Sequence, residues 1–200
     1  MSDTAEAHPV LEPEPPALQE RNIWVGARLL VSSTIFLFLP LVFGYLYLAT
    51  LNTGGLWRPG DLKGPIGWGI PIMLALLFSA GLLAWARSEL LAGNDGRFRW
   101  YAVGALLLGL AAVVLQIVEY TQLGFGPTDG GFASVFVGWT GLLGVVTLLT
   151  MVWLETVVAS SFRNGNHSPG SSQNDVDAVV FYLAFLAILG AFTFAFLYLV

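Results

Sequence analysis

The 200-residue chain contains no cysteine, and that single absence excludes disulfides, thiolate metal sites and thiol nucleophiles. Histidine is almost as scarce: His8 lies near the N-terminus and His167 in a polar tract before the last apolar run. Haem iron or copper held inside a helical bundle takes histidines at intramembrane depth, so this chain builds no haem or copper centre on its own. An acyl-transfer triad cannot be assembled from two such histidines. No glycine-rich phosphate loop follows a strand, and no basic aromatic face points to nucleic acid. Charge is also thin, at 10% of residues against 56% hydrophobic, far from the usage of a water-soluble domain.

What is present is apolar length. Runs without a charged residue cover 29–57, 64–86, 100–118, 130–154 and 178–200, apart from Glu119 and Glu155 at their edges. About twenty residues carry a helix across a hydrocarbon core. The runs are apolar all round rather than alternating, which favours helices over a barrel. The expected fold class is therefore all-α, an integral membrane bundle of five transmembrane helices over roughly 26–52, 65–88, 98–120, 131–160 and 176–200.

Residues 1–21 form a separate segment rich in acids (Asp3, Glu6, Glu12, Glu14, Glu20) and prolines (Pro9, Pro13, Pro15, Pro16). Such a composition reads as a disordered, solvated tail ahead of a transmembrane domain at 22–200. It has neither the basic start of a signal peptide nor the arginines of a transit peptide, so no cleavable signal is expected. Arg21, Arg28, Arg87, Arg97, Arg99 and Arg163 fall on one side of the expected spans, Arg58 and Lys63 on the other. The positive-inside rule then places the N-terminus inside and the C-terminus outside.

Local signals fit these spans. Pro65 sits at the start of the second, and Gly93-Asn94-Asp95-Gly96 makes a turn before the third. The tract 164–172 reads as a flexible inner loop, with Asn174 or Asp175 capping the fifth helix. Pro40 should kink the first helix. Ala80/Ala84, Ala105/Gly109 and Ala187/Ala191 have the four-residue spacing that lets helices approach closely in lipid. Trp57, Trp68, Trp100, Tyr101 and Trp153 are placed as interfacial anchors.

Ionisable groups in spans are costly and therefore the first functional candidates. Here they stand at helix ends: Glu119 beside Tyr120 at the outer end of the third, Glu155 near the inner end of the fourth, Asp175 and Asp177 opening the fifth. Their ordinary role is to reach headgroups, caps or nearby backbone. A proton relay needs acids at several depths, and only Glu155 and Asp177 stand where an uptake path begins. Asn166-His167-Ser168 matches a glycosylation acceptor, but on the inner side it is read as a chance match.

Several strings, taken in order, resemble subunit III of the cytochrome c oxidases and related haem-copper oxidases. Gln116-Ile117-Val118-Glu119-Tyr120 is similar to that family's Gln-x-x-Glu-Tyr. The stretch beginning Asp129-Gly130-Gly131-Phe132 and ending Ser134-Val135-Phe136 resembles its Asp-Gly-x-Tyr-Gly-Ser-x-Phe, and Thr140-Gly141 its Thr-Gly pair. Upstream, Ser79-Ala80-Gly81, Ala84-Trp85-Ala86 and Gly93-Asn94 are similar to its second shared helix and turn. Val176-Asp177-Ala178-Val179-Val180 is similar to the opening of its last helix. Two places depart: Leu143 and Val146 stand where the family usually has two histidines, and Ser32-Ser33 where it has Ser-Glu.

The resemblance implies a short five-helix bacterial form in the plasma membrane, lacking the two N-terminal helices of longer members. It implies no active site and no cofactor in this chain, with haem and copper in partner subunits. The implied partners are oxidase subunits I and II and membrane lipids, and the implied role is support of proton uptake and of the durability of the active site, with cytochrome c favoured over quinol as donor. Glu119, Tyr120, Asp129, Glu155 and Asp177 are the candidate lipid-contacting or proton-side residues. Alternatives are a subunit III-like accessory of a nitric oxide reductase, or a scaffold or assembly factor. A small transporter is disfavoured, because internal repeats are lacking and midplane polar groups are sparse.

Overall fold

The computed structural model describes residues 15–163 and 171–199, and their regular secondary structure is wholly helical. In order come α1 (Pro16–Thr50), α2 (Ile66–Leu91), α3 (Asp95–Gln122), α4 (Gly131–Arg163) and α5 (Ser171–Phe194). A π-helical turn over Ala195–Leu199 continues α5. All five helices are long and apolar enough to cross a membrane.

Helix ends differ from the expected ones for local reasons. Pro16 stands at the first turn of α1, where its missing N–H costs nothing, so residues 16–21, assigned to the tail on composition, are helical. α5 starts at Ser171, which puts Asn174 and Asp175 within the helix rather than at a cap. Pro40 and Pro71 both lie within continuous helices. The expected disordered tail over 1–14 and the polar tract 164–170, with its His167, lie outside the described residues.

α2 and α3 form a close hairpin around Gly93, whose φ of +79° closes the turn while Asn94 N–H bonds to Glu89 O at 2.9 Å. Lipid gives no hydrophobic drive between helices, so small residues and polar bonds must hold them. Buried Ser79 donates to the Ala105 carbonyl at 2.7 Å, and Ala102 and Ala105 are fully covered. A Cβ at Gly104 would lie 2.8 Å from Leu82, and one at Gly109 would overlap the Met151 sulfur. Ala84, by contrast, faces outward, so Ala80/Ala84 is not a closed internal contact. α5 packs against α1, α2 and α4, and α1 touches α4 and α5 alone among the helices it contacts substantially.

The core has two parts. An aliphatic cluster from α2 to α5 includes Leu83, Phe98, Met151, Leu154 and Leu183. An aromatic cluster gathers Tyr45, Trp57, Phe132, Phe136, Trp139 and Tyr198. The end of the bundle beyond the aliphatic cluster carries Arg87, Arg97 and Arg99 and is termed the basic end; the other is the tryptophan end. There the α1–α2 loop closes α4: Gly131 and Phe132 N–H groups bond to the carbonyls of Leu56 and Trp57 at 3.2 and 2.9 Å. Those are helix-start donors that would otherwise be unpaired. Trp57 is consequently buried against Tyr45 and Phe132 rather than spread at an interface, whereas Trp100 is 79% exposed.

Candidate functional site

On α3, Gln116, Glu119 and Tyr120 are spaced by three and one and so share one helix face. That face meets α4 at Thr140. The Gln116 amide donates to the Thr140 carbonyl and, at 3.2 Å, to the Tyr120 hydroxyl. The Tyr120 hydroxyl lies 2.7 Å from Thr140 Oγ1 and 3.3 Å from the Val137 carbonyl. Two glycines leave the room: a Cβ at Gly144 would stand 2.7 Å from Gln116 Oε1, and one at Gly141 3.3 Å from Tyr120 Oη. The Gln-x-x-Glu-Tyr and Thr-Gly strings are thus two halves of one contact.

Glu119 has no solvent exposure. Its Oε1 accepts a 2.8 Å bond from the Tyr198 hydroxyl, and its Oε2 has no hydrogen-bond partner among the described residues. The carboxyl therefore reaches across the bundle to the C-terminal turn, not toward headgroups. Tyr198 is aimed by the π-helical turn, a local irregularity often found where a side chain must be redirected. Its ring lies against Gly64 and Gly69, where a Cβ at Gly69 would come within 2.5 Å. A cavity of about 30 Å³ beside Gln116, Thr140, Thr193 and Tyr198 has room for one water. Trp139 Nε1 donates to Thr193 at 2.9 Å, so α5 is held by polar bonds to α3 and α4.

At the basic end, the two Asp177 carboxylate oxygens accept from Arg87 Nε and, at 2.9 Å, from Arg87 Nη2. This forked, planar pairing ties α2 to α5. Arg97 lies 3.8 Å from Glu89. Between α1 and α5, Thr34 and Tyr182 hydroxyls are 2.8 Å apart. Beside them opens a cavity of about 410 Å³ whose walls include Ser33, Thr34, Val146, Trp153 and Tyr182. Ser33 and Val146, two of the positions that depart from the family pattern, thus line the same space.

The five sequence candidates do not converge. Glu119 bonds Tyr198, Tyr120 joins the separate Gln116–Thr140 contact, Asp177 forms the ion pair, and Asp129 builds a turn by accepting the Gly126 N–H at 2.6 Å. Glu155 is exposed on α4, without a hydrogen bond or ion pair to the described residues. Sequence reasoning passed over Arg87 and Tyr198. Arg87 was findable, because an acid near a span calls for a partner and Asp177 lies on the same expected side. Tyr198 carried no such signal, since its aim depends on a π-helical turn.

The fold and these contacts define a multi-pass helical membrane protein whose polar groups join helix to helix. Among the described residues no three of His, Cys, Asp and Glu cluster closely enough to hold a metal ion. Residues 16–200 match the family model for cytochrome c oxidase subunit III, and the chain belongs to that family. It is similar to cytochrome c oxidase subunit 3 of Lachancea kluyveri, 29% identical over 190 residues, covering 89% of this chain and 67% of that protein. Against the Candida parapsilosis subunit 3 the identity is 28% over 90% of this chain and 68% of that protein. Against that of Marchantia polymorpha it is 25% over 86% and 66%. The match to the Yarrowia lipolytica subunit 3 spans 58% of that protein, so the chain covers about two thirds or less of the length of these first relatives.

Proposed function

We propose that this chain is the subunit III of a respiratory haem-copper oxidase, seated in a bacterial plasma membrane with its N-terminus inside. It packs on subunit I in a complex that also holds subunit II, binds lipids, and contributes no redox centre. The observation that carries this reading is the match over residues 16–200, together with the meeting of two family strings in one bonded contact, Gln116 and Tyr120 against Thr140. The basic end, carrying Arg87, Arg97 and Arg99, is the side the positive-inside rule assigns to the cytoplasm. Haem and copper belong to the partners, which receive electrons from cytochrome c in preference to quinol.

The role is architectural before it is protonic. Ser33 and Val146 line a cavity whose walls bear hydroxyls but no acid or imidazole, so the group the family's Ser-Glu string supplies on the uptake side is replaced. Glu119, Tyr120 and Asp177 act by holding helices. The same replacement favours, as a second reading, a subunit III-like accessory of a nitric oxide reductase. Membranes lacking this chain test the role. Oxygen uptake with reduced cytochrome c should start at the normal rate and decline sooner during sustained turnover. An undiminished rate and lifetime would contradict it.

A further inference from the structure

Four helices line the cavity of about 30 Å³ at the tryptophan end. Gly69 comes from α2, Gln116 from α3, Thr140 from α4, Gly190 and Thr193 from α5, and Tyr198 from the π-helical turn. The two glycines let α2 and α5 approach closely. A Cβ at Gly69 would come within 2.5 Å of the Tyr198 ring, and one at Gly190 within 2.8 Å of Leu76. Gln116, Thr140, Thr193 and Tyr198 are each 8% exposed or less, so four buried polar side chains from three segments border one small space.

The hydroxyls around this space have already given their protons to the chain. Thr140 donates to the Phe136 carbonyl at 2.7 Å, Thr193 to the Leu189 carbonyl at 2.8 Å, and Tyr198 to Glu119 at 2.8 Å. The Gln116 amide donates to the Thr140 carbonyl and the Tyr120 hydroxyl. Each hydroxyl that donates keeps lone pairs able to accept. Thr193 uses one for the Trp139 indole at 2.9 Å, and Tyr198 accepts nothing from the described residues. The walls therefore offer acceptors and lack a donor. An apolar occupant or an anion would leave those lone pairs bare, whereas water brings two donors and fits the volume. Cavities that stay dry are lined by hydrocarbon alone.

We propose that this cavity is a binding site for a single water molecule, which donates to the Tyr198 and Thr193 hydroxyls. The water joins two bonds that are otherwise separate, Tyr198 to Glu119 and Trp139 to Thr193. The resulting string, from Glu119 through Tyr198, water and Thr193 to Trp139, ties α3, α4, α5 and the C-terminal turn together. Ordered water satisfying polar groups inside a membrane bundle is a recognised use of such a space. The site belongs to this chain alone, so its failure would leave the family and the subunit reading standing.

X-ray radiolysis of a water held inside a protein makes hydroxyl radicals on the spot, and these add oxygen to the side chains around it. The full chain, in mild detergent with the subunits that accompany it, is irradiated as the parent, T193V and T193S, and the products are located by mass spectrometry. In the parent, Tyr198 should gain oxygen although buried. Met151, of a readily oxidised type but enclosed in the aliphatic cluster, should not. T193V keeps the shape and removes the hydroxyl, so it should lose most of the Tyr198 label, while T193S should retain it. An unlabelled Tyr198 in the parent, or equal labelling of Tyr198 in the parent and T193V, would overturn the site. Equal loss in T193V and T193S would overturn the role of the Thr193 hydroxyl. Label at Met151 as strong as at Tyr198 would trace the oxygen to bulk water entering the core, and would overturn the site as well. Should T193V fail to fold, a density map of the parent decides: a peak within hydrogen-bonding distance of both hydroxyls supports the site, and a cavity without one contradicts it.

Discussion

Glu119 is the residue at which this bundle departs furthest from an ordinary apolar core. It is covered completely, bonded through one oxygen to Tyr198, and its second oxygen has no partner among the described residues. A buried charge without a cation costs several kcal/mol, while the tyrosine bond is kept by any side chain that offers the same acceptor. E119Q should therefore unfold in detergent at a temperature equal to or above that of the parent. Y198F, which removes the donor and leaves a buried acceptor bare, should cost about 1–3 kcal/mol. Thermal denaturation followed by circular dichroism checks both; a destabilised E119Q beside an unaffected Y198F would refute the assigned roles. The sequence marks Glu119 through its string and its position at a helix end. It does not disclose Tyr198, because the alignment of that ring depends on the room left at Gly64 and Gly69, 129 or more residues earlier.

At the scale of the helices, apolar length was legible and pairing was not. Five runs give five helices because a span must satisfy its own backbone. Which helices touch depends on Ser79 meeting Ala105, Gly109 meeting Met151, and Arg87 meeting Asp177, contacts between residues as much as 90 positions apart. The Arg87–Asp177 fork is partly exposed, with side chains 41% and 20% accessible, so its strength is modest. In a double-mutant cycle with R87M and D177N, unfolding free energies should show a coupling of about 1 kcal/mol. Additive effects would mean that the two side chains do not hold α2 to α5. The cavity between α1, α4 and α5 offers a second cycle. S33E alone sets an acid in a cavity whose walls offer hydroxyls but no cation and should lower stability, and V146H added to it should recover part of that loss by bonding. Equal losses from S33E with and without V146H would show that the two positions do not face each other.

For the whole molecule, a bundle whose helices are joined by polar seams belongs to a family whose named members are oxidase subunits. Membership was legible in the order of short strings, each weak alone, because Gln116, Tyr120 and Thr140 must meet across a helix pair to be satisfied. The resemblance implied the partners, but the surfaces that would meet them were not legible, because an apolar helix face has the same composition whether it meets lipid or another helix. The most direct measurement is purification of the tagged chain in a mild detergent, with a reduced-minus-oxidised absorption spectrum and mass spectrometry of the eluate. The account predicts haem bands in company with a haem-copper subunit I. A colourless eluate in which the chain stands without any oxidase or reductase subunit would contradict it.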